Sequence, residues 1–318
     1  MNHQHVIAVD LGGTHIRTAV VDRQGRLTHR HVVSTGAGDG HEAVIERMAD
    51  LIARTAADAG VRDSVPVGVA SPGPLNPRTG TVLYTPNLPG WRDVPLIDML
   101  VDRIRRPVHL ANDGNCAALG EMRYGSAQGI DDLVYLALGT GVGGGVVCGG
   151  VLIDGARGLG AEVGHVSVAM DGPRCTCGSI GCLEAFVGGW AIQREAQAVA
   201  TTTEGDLLRR LAGEGEPHAG VVKAAAEQGD AAALLILARA GRALGAAMGA
   251  FINLFNPRKI VIGGGVATLG ELLMEPARRA MQDHSFVDMR ADVRVTYSSL
   301  GTDTGLYGAA ALALTADS

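Results

Sequence analysis

Apolar and polar positions alternate from the first residues. The runs 5-HVIAVDLGG-13, 15-HIRTAVVDRQG-25 and 26-RLTHRHVVS-34 read as a three-stranded meander, with turns at Gly12-Gly13 and Gln24-Gly25. The period then changes to that of a helix: Val44, Ile45, Met48, Leu51 and Ile52 form one stripe over residues 41–59. A buried strand ending in a loop is predicted at 66-PVGVASPG-73. Another, 108-VHLAND-113, feeds a helix that begins near Asp113 and stops before Gly125. The opening layout returns in 133-LVYLALGTGVGGGVVCGGVLI-153, where an apolar strand, a Gly/Thr turn and a second strand follow as in 6-VIAVDLGGTHIRTAVVDRQGRL-27. This recurrence predicts an internal duplication in which one meander opens each of two domains.

Further on, residues 186–200 and 219–255 carry helical periodicity and alanine, whereas the polar, glycine-bearing 201–218 reads as a surface loop or the tip of a helical hairpin. The strand 259-KIVIGGGVA-267, a helix over 271–282, the strand 292-DVRVTYSS-299 and a small-residue helix over 303–314 complete the pattern. The expected fold is two-domain α/β. Residues 1–111 form a smaller domain to which a C-terminal helix (303–318) returns, and 112–302 form a larger one.

Composition narrows the classes. A chain of 318 residues with 47% hydrophobic and 19% charged residues can bury a sizeable core. The net charge is −6 and the only lysines are Lys223 and Lys259, so there is no basic stripe to neutralise a nucleic-acid backbone. No apolar stretch approaches about 20 residues without a glycine or charge, which argues against a membrane partner and for a cytoplasmic enzyme. Five cysteines, an odd number, do not suggest a disulfide framework in that compartment.

Three glycine-rich loops follow apolar strands: 10-DLGGTHIR-17, 139-GTGVGGG-145 and 263-GGGV-266. Glycine lets backbone N–H groups approach a phosphate closely. One such loop is as easily a tight turn, but three, two of them in duplicated hairpins, are more specific. Neither a P-loop signature nor the protein-kinase set occurs, and the first glycine turn leads into a strand, which excludes a Rossmann fingerprint. Cys175, Cys177 and Cys182 in 175-CTCGSIGCLE-184 offer three thiolates around tight glycine turns, a donor set suited to structural zinc. No C-x-x-C redox pair is present, and Cys116 and Cys148 read as buried thiols.

Together, 10-DLGGTHIR-17, 111-ANDGNCAALGE-121, 139-GTGVGGG-145, 158-GLGAEVGH-165 and 175-CTCGSIGCLE-184 resemble the ROK family of repressors and sugar kinases, most closely its bacterial glucokinases, over essentially the whole chain. The resemblance implies an actin/hexokinase-like (ribonuclease H-like) fold with ATP in a cleft between the domains. Because the chain opens on its first strand, the kinase branch is expected rather than the repressors with their helix-turn-helix domain.

On the residues alone, Asp113 serves equally as a helix cap or as a general base. The resemblance makes it the catalytic base toward a sugar hydroxyl. Gly73, Asn87, Asn112, Glu162, His165 and Glu184 then hold the hexose. Asp10 orients Mg²⁺. Gly12, Gly13, Thr14, Arg17, Gly139, Thr140, Gly141, Gly263, Gly264 and Gly265 bind ATP, and His165 joins Cys175, Cys177 and Cys182 on zinc. The implied reaction is transfer from Mg·ATP to the 6-hydroxyl of glucose. Other hexoses, a polyphosphate donor, or a non-catalytic sugar sensor are the alternatives, and a homodimer or homotetramer is the implied assembly.

Overall fold

The computed structural model describes residues 4–85 and 87–316. In chain order its strands and helices begin with β1 (His5–Leu11), β2 (His15–Asp22), β3 (Leu27–Ser34), α1 (His41–Ala59) and β4 (Val67–Ser71). There follow β5 (Leu75–Asn76), β6 (Thr81–Tyr84), β7 (Arg92–Val94), α2 (Leu96–Ile104), β8 (Val108–Asn112) and α3 (Asp113–Tyr124). The second half holds β9 (Leu133–Leu138), β10 (Val142–Cys148), β11 (Val151–Leu152), α4 (Glu184–Val187), α5 (Gly189–Ala200) and α6 (Asp206–Ala212). It ends with α7 (Ala219–Glu227), α8 (Ala231–Phe255), β12 (Lys259–Gly263), α9 (Glu271–His284), α10 (Val287–Arg290), β13 (Arg294–Tyr297) and α11 (Thr304–Ala316).

The duplication is visible in the sheets. One has the order β3-β2-β1-β4-β8 and another β11-β10-β9-β12-β13. Each is an antiparallel meander continued by two parallel strands: β1 pairs parallel with β4 and β4 with β8, as β9 does with β12 and β12 with β13. A third sheet, β5-β6-β7, and α2 have no counterpart in the expected pattern. Its strands, of two to four residues each, are too short to display a period.

The chain separates into two compact units. The first runs to Asp131, resumes over Gly145–Ala161 and resumes again from Ser298; the second comprises Asp132–Gly144 and Glu162–Tyr297. The expected boundaries at 112 and 303 therefore shift. Helix α3 stays with the first unit because it packs on α11, where Gly120 and Gly308 let the two backbones approach (a Cβ on Gly120 would lie 2.9 Å from the Gly308 nitrogen). Strand β10 is divided, with Val142–Gly144 counted in the second unit.

In the first unit, α1 and α2 cover one face of the sheet through Val44, Ile45, Met48, Ile52, Leu96 and Leu100, and α11 covers the other through Leu306, Ala309, Ala310 and Ala313. The contact with α11 is close because Gly68 in β4 lacks a side chain: a Cβ there would collide with the Ala309 carbonyl oxygen. Gly68→Ala is expected to lower unfolding stability by about 3 kcal/mol, since both clashing groups are backbone-fixed. Denaturant unfolding checks this, and an unchanged midpoint would show that the helix can retreat.

In the second unit, 219–255 is two helices rather than one. Gly229, at φ 81°, breaks the run, and Asp230 caps α8 by accepting the Ala233 N–H at 2.8 Å. Residues 201–218, expected to be a loop or hairpin tip, hold α6. Helix α8 is long and apolar enough, by length and composition, to cross a membrane, but it packs against α9 as a core helix, with Gly241, Gly245 and Gly249 at the contact.

Candidate active site and metal centre

Strands β1, β4 and β8 run parallel, so their carboxyl ends bring functional groups to one edge of the first unit's sheet, the usual ligand edge of such sheets. In register, Asp10 lies beside Ala70 and Ser71 beside Asn112. Asn112 is the N-cap of α3: its Oδ1 accepts the Gly114 N–H at 2.9 Å. Asp113, the first helical residue, accepts the same N–H at 2.8 Å through its own Oδ1. The cap thus falls to Asn112, and Asp113 presents a carboxylate at the positive end of the helix dipole. Gly73 packs against the Asn112 amide, with a hypothetical Cβ only 2.9 Å from Nδ2. Asn87 is exposed and lies over the first glycine turn, where a Cβ on Gly13 would be 3.2 Å from Asn87 Cβ.

The first glycine loop is the β1–β2 hairpin, closed by the Gly12 N–H bonding the His15 carbonyl at 3.0 Å. Thr14 is exposed at its tip. Asp10 and Arg17 face each other across the hairpin, 3.6 Å apart, and Arg17 also donates to the Thr302 carbonyl at 2.9 Å. Burial raises the pKa of Asp10; the nearby Arg17 opposes this and Asp303 adds to it. The start of α11 abuts this carboxylate at Gly305, so a carboxylate, a guanidinium and a helix N-terminus converge on one hairpin.

In the second unit the other two glycine loops are neighbours. Gly263 pairs in register with Ala137, so Gly263–Gly265 and Gly139–Gly141 leave adjacent parallel strands at the same end. The 139–141 turn is closed by the Gly139 N–H bonding the Gly141 carbonyl at 2.9 Å. It docks on the α4–α5 junction: the Gly189 and Trp190 N–H groups donate to the Gly139 and Thr140 carbonyls at 2.9 and 3.1 Å. Glu184 completes the dock, its Oε2 accepting the Val142 N–H at 2.9 Å. A Cβ at position 141 would meet that same oxygen, so a larger residue there would displace the Glu184 carboxylate from the Val142 N–H.

The cysteine segment forms a knuckle. The ligand atoms of His165, Cys175, Cys177 and Cys182 all lie within 4.8 Å of one another. Cys175 Sγ is 3.7 Å from His165 Nδ1, and Cys177 Sγ is 3.7 Å from Cys182 Sγ. A tetrahedron with Zn–S bonds of about 2.3 Å has edges of about 3.8 Å, so the four donors fit a closed zinc site. Burial works against ionising Cys177, but hydrogen bonds involving Ser179 and the neighbouring thiols outweigh it and bring the thiol down to about 7. Cys116 and Cys148 lie outside the knuckle. Cys116 is fully buried, and desolvation holds its thiol well above its usual range.

Glu162 precedes and His165 ends a short 3-10 turn (Val163–His165) at the edge of this centre. Desolvation raises the carboxyl pKa of Glu162; His165 lowers it and Glu184 raises it further. Glu184 itself is 9% exposed, and its Oε1 accepts the Thr176 hydroxyl at 3.1 Å and lies 3.6 Å from Cys175 Sγ. Thr176 was not among the expected site residues. The signal available for it was a hydroxyl enclosed between two metal-ligating cysteines. Glu121, which closes the 111–121 motif, is fully buried and bonds Ser126 and Ser298, a structural role in the first unit.

A profile described as the ROK family matches residues 6–316. The chain belongs to the ROK family. Among its relatives, a glucokinase of Thermotoga maritima is 39% identical over 308 residues, covering 96% of each chain. The fold of this ROK protein resembles a ROK hexokinase from Thermus thermophilus at TM-score 0.85 and 35% identity, covering 98% of this chain and 99% of that one. It also resembles a ROK family glucokinase from Streptomyces griseus in complex with glucose and AMPPNP, at TM-score 0.78 and 35% identity over 96% and 98% of the two chains. The fold is the actin/hexokinase-like architecture of ROK kinases.

Proposed function

We propose that this chain transfers the γ-phosphoryl group of ATP to the 6-hydroxyl of glucose. The observation that carries the reading is Asp113: a carboxylate at the carboxyl end of β8, fixed by a backbone N–H at the start of α3, in a chain 39% identical to a glucokinase throughout its length. Phosphoryl transfer needs a carboxylate positioned to take the hydroxyl proton, and a helix N-terminus favours the ionised form of that base.

Other residues take supporting roles. Asn112 spends its Oδ1 on the helix cap, so its Nδ2 is the group assigned to a sugar hydroxyl. Asn87 and the Gly73 backbone are assigned to the same sugar, as are Glu162, Glu184 and the His165 nitrogen not turned to the thiols. Fixed polar groups of this kind reject analogues that lack the matching hydroxyl. The amides of Gly13, Thr140, Gly141 and Gly263–Gly265, with the Thr14 and Thr140 hydroxyls, are assigned to the ATP phosphates, Gly12 and Gly139 to shaping the turns that their own N–H groups close, and Asp10 to Mg²⁺ or its water shell. Arg17 pairs with Asp10 across the same hairpin. Bound Mg²⁺ would neutralise charge on the transferring phosphoryl group. Zinc held by His165, Cys175, Cys177 and Cys182 would be structural, fixing the His165 ring and the start of α4.

A coupled assay offering Mg·ATP or polyphosphate with glucose, N-acetylglucosamine, N-acetylmannosamine, fructose or allose tests the reading. Glucose with Mg·ATP should give the highest kcat/KM. A higher value for another sugar would reassign the substrate, and no turnover of any sugar would overturn the kinase reading.

A further inference from the structure

We propose that Glu184 and Thr176 couple the zinc knuckle to the phosphate loop, so that zinc and nucleotide each bind more tightly in the presence of the other. This rests on assigning Gly139–Gly141 to the ATP phosphates. The route lies wholly within the second unit. Thr176, between two cysteines of the knuckle, donates its hydroxyl to Glu184 Oε1 at 3.1 Å. The other oxygen of the same carboxylate accepts the Val142 N–H, at the exit of the glycine turn, at 2.9 Å. Behind it, Gly189 and Trp190 hold the carbonyls of Gly139 and Thr140. One buried carboxylate therefore bridges the metal-ligating segment and the turn whose amides would face phosphate.

A glycine-rich turn is entropically costly to fix, and a carboxylate that is itself tied down fixes it better than one free to rotate. Closing the knuckle around zinc immobilises Thr176 and, through its hydroxyl, the Glu184 rotamer. Whatever zinc does to order the turn, nucleotide bound on the turn must do to the zinc site, because linkage between two binding sites is reciprocal. Glu184 and Thr176 are positioning residues in this coupling. Trp190, packed against Cys175 and Cys182 and bonded to the turn through its N–H, is a built-in reporter once Trp91 is replaced by phenylalanine.

The test is the rate at which zinc-loaded protein releases zinc to a chromogenic chelator, with and without saturating Mg·ADP, alongside calorimetric titration of Mg·ADP. It requires no stable metal-free form. Mg·ADP is expected to slow zinc release about tenfold in the unmodified chain. Thr176→Val, which keeps the shape but not the donor, should reduce that effect to less than about twofold, and Thr176→Ser should restore it. Equal release rates with and without bound Mg·ADP would overturn the coupling while leaving the nucleotide reading intact. An undiminished effect in Thr176→Val would overturn the route through Glu184. If Mg·ADP fails to bind the zinc-loaded chain at all, the nucleotide assignment falls and the coupling with it.

Discussion

Asp113→Asn is expected to lower kcat for glucose with Mg·ATP by about 10³-fold, with little change in KM. The substitution is nearly isosteric, and asparagine keeps an Oδ1 able to accept the Gly114 N–H that now fixes Asp113 at 2.8 Å. The start of α3 therefore survives, since its cap is Asn112 and not Asp113. What disappears is the ability to take a proton from the attacking hydroxyl. Positioning and phosphate neutralisation remain, so residual turnover above background is part of the expectation. The comparison variant is Asn112→Ala, which leaves the base but removes the cap. It should lose about 1 kcal/mol of stability and raise the glucose KM more than it lowers kcat. A coupled assay and thermal unfolding on both proteins separate the two roles. Full turnover in Asp113→Asn would refute the base assignment.

Much of this arrangement was legible in the sequence because it depends on local patterns. The meander of β1–β3, its repetition in β9–β11 and the stripe of α1 each follow from a period visible within some twenty residues. Asn112-Asp113 after an apolar run marked a strand-to-helix junction. What the chain pattern did not reveal is what depends on distant backbone. The motif that Glu184 closes marks it as a site residue but does not reveal that one of its oxygens also accepts from Val142, 42 positions away, and the other from Thr176. No periodicity encodes that contact. A boundary at 112 puts helix α3 in the second domain. Its true partner, α11, lies near the chain's other end and fits only because Gly120 and Gly308 face each other. The division of α7 from α8 was readable in principle, since Gly229-Asp230 is a stop followed by a cap, but the alanine-rich run on both sides masked it.

The knuckle leads to the second large effect. Cys177→Ala is expected to abolish stoichiometric zinc, lower Tm by about 10 °C and reduce kcat/KM for glucose at least about 100-fold, all three together. Cys177 is exposed and its removal leaves no core cavity, so loss of packing cannot account for such a drop. The three losses should travel together because the metal would join the side chains of segments otherwise held to one another by a few hydrogen bonds, such as Val168 N–H to the Gly181 carbonyl and Leu183 N–H to the Val166 carbonyl: His165 at the end of a 3-10 turn, Cys175 and Cys177 in a glycine-rich loop, and Cys182 just before α4. Without it, the His165 ring and the Thr176 hydroxyl that bonds Glu184 lose their fixed positions. The hydrophobic cluster of Cys175, Cys182 and Ala185, with Trp190 against it, is too small to hold them. Cys148→Ala, which removes a thiol outside the cluster, should keep its zinc and its activity. Metal content by mass spectrometry, differential scanning calorimetry and the coupled assay check the set on the same preparations. A folded, zinc-free Cys177→Ala protein with undiminished turnover would show that the knuckle neither builds the site nor supports it.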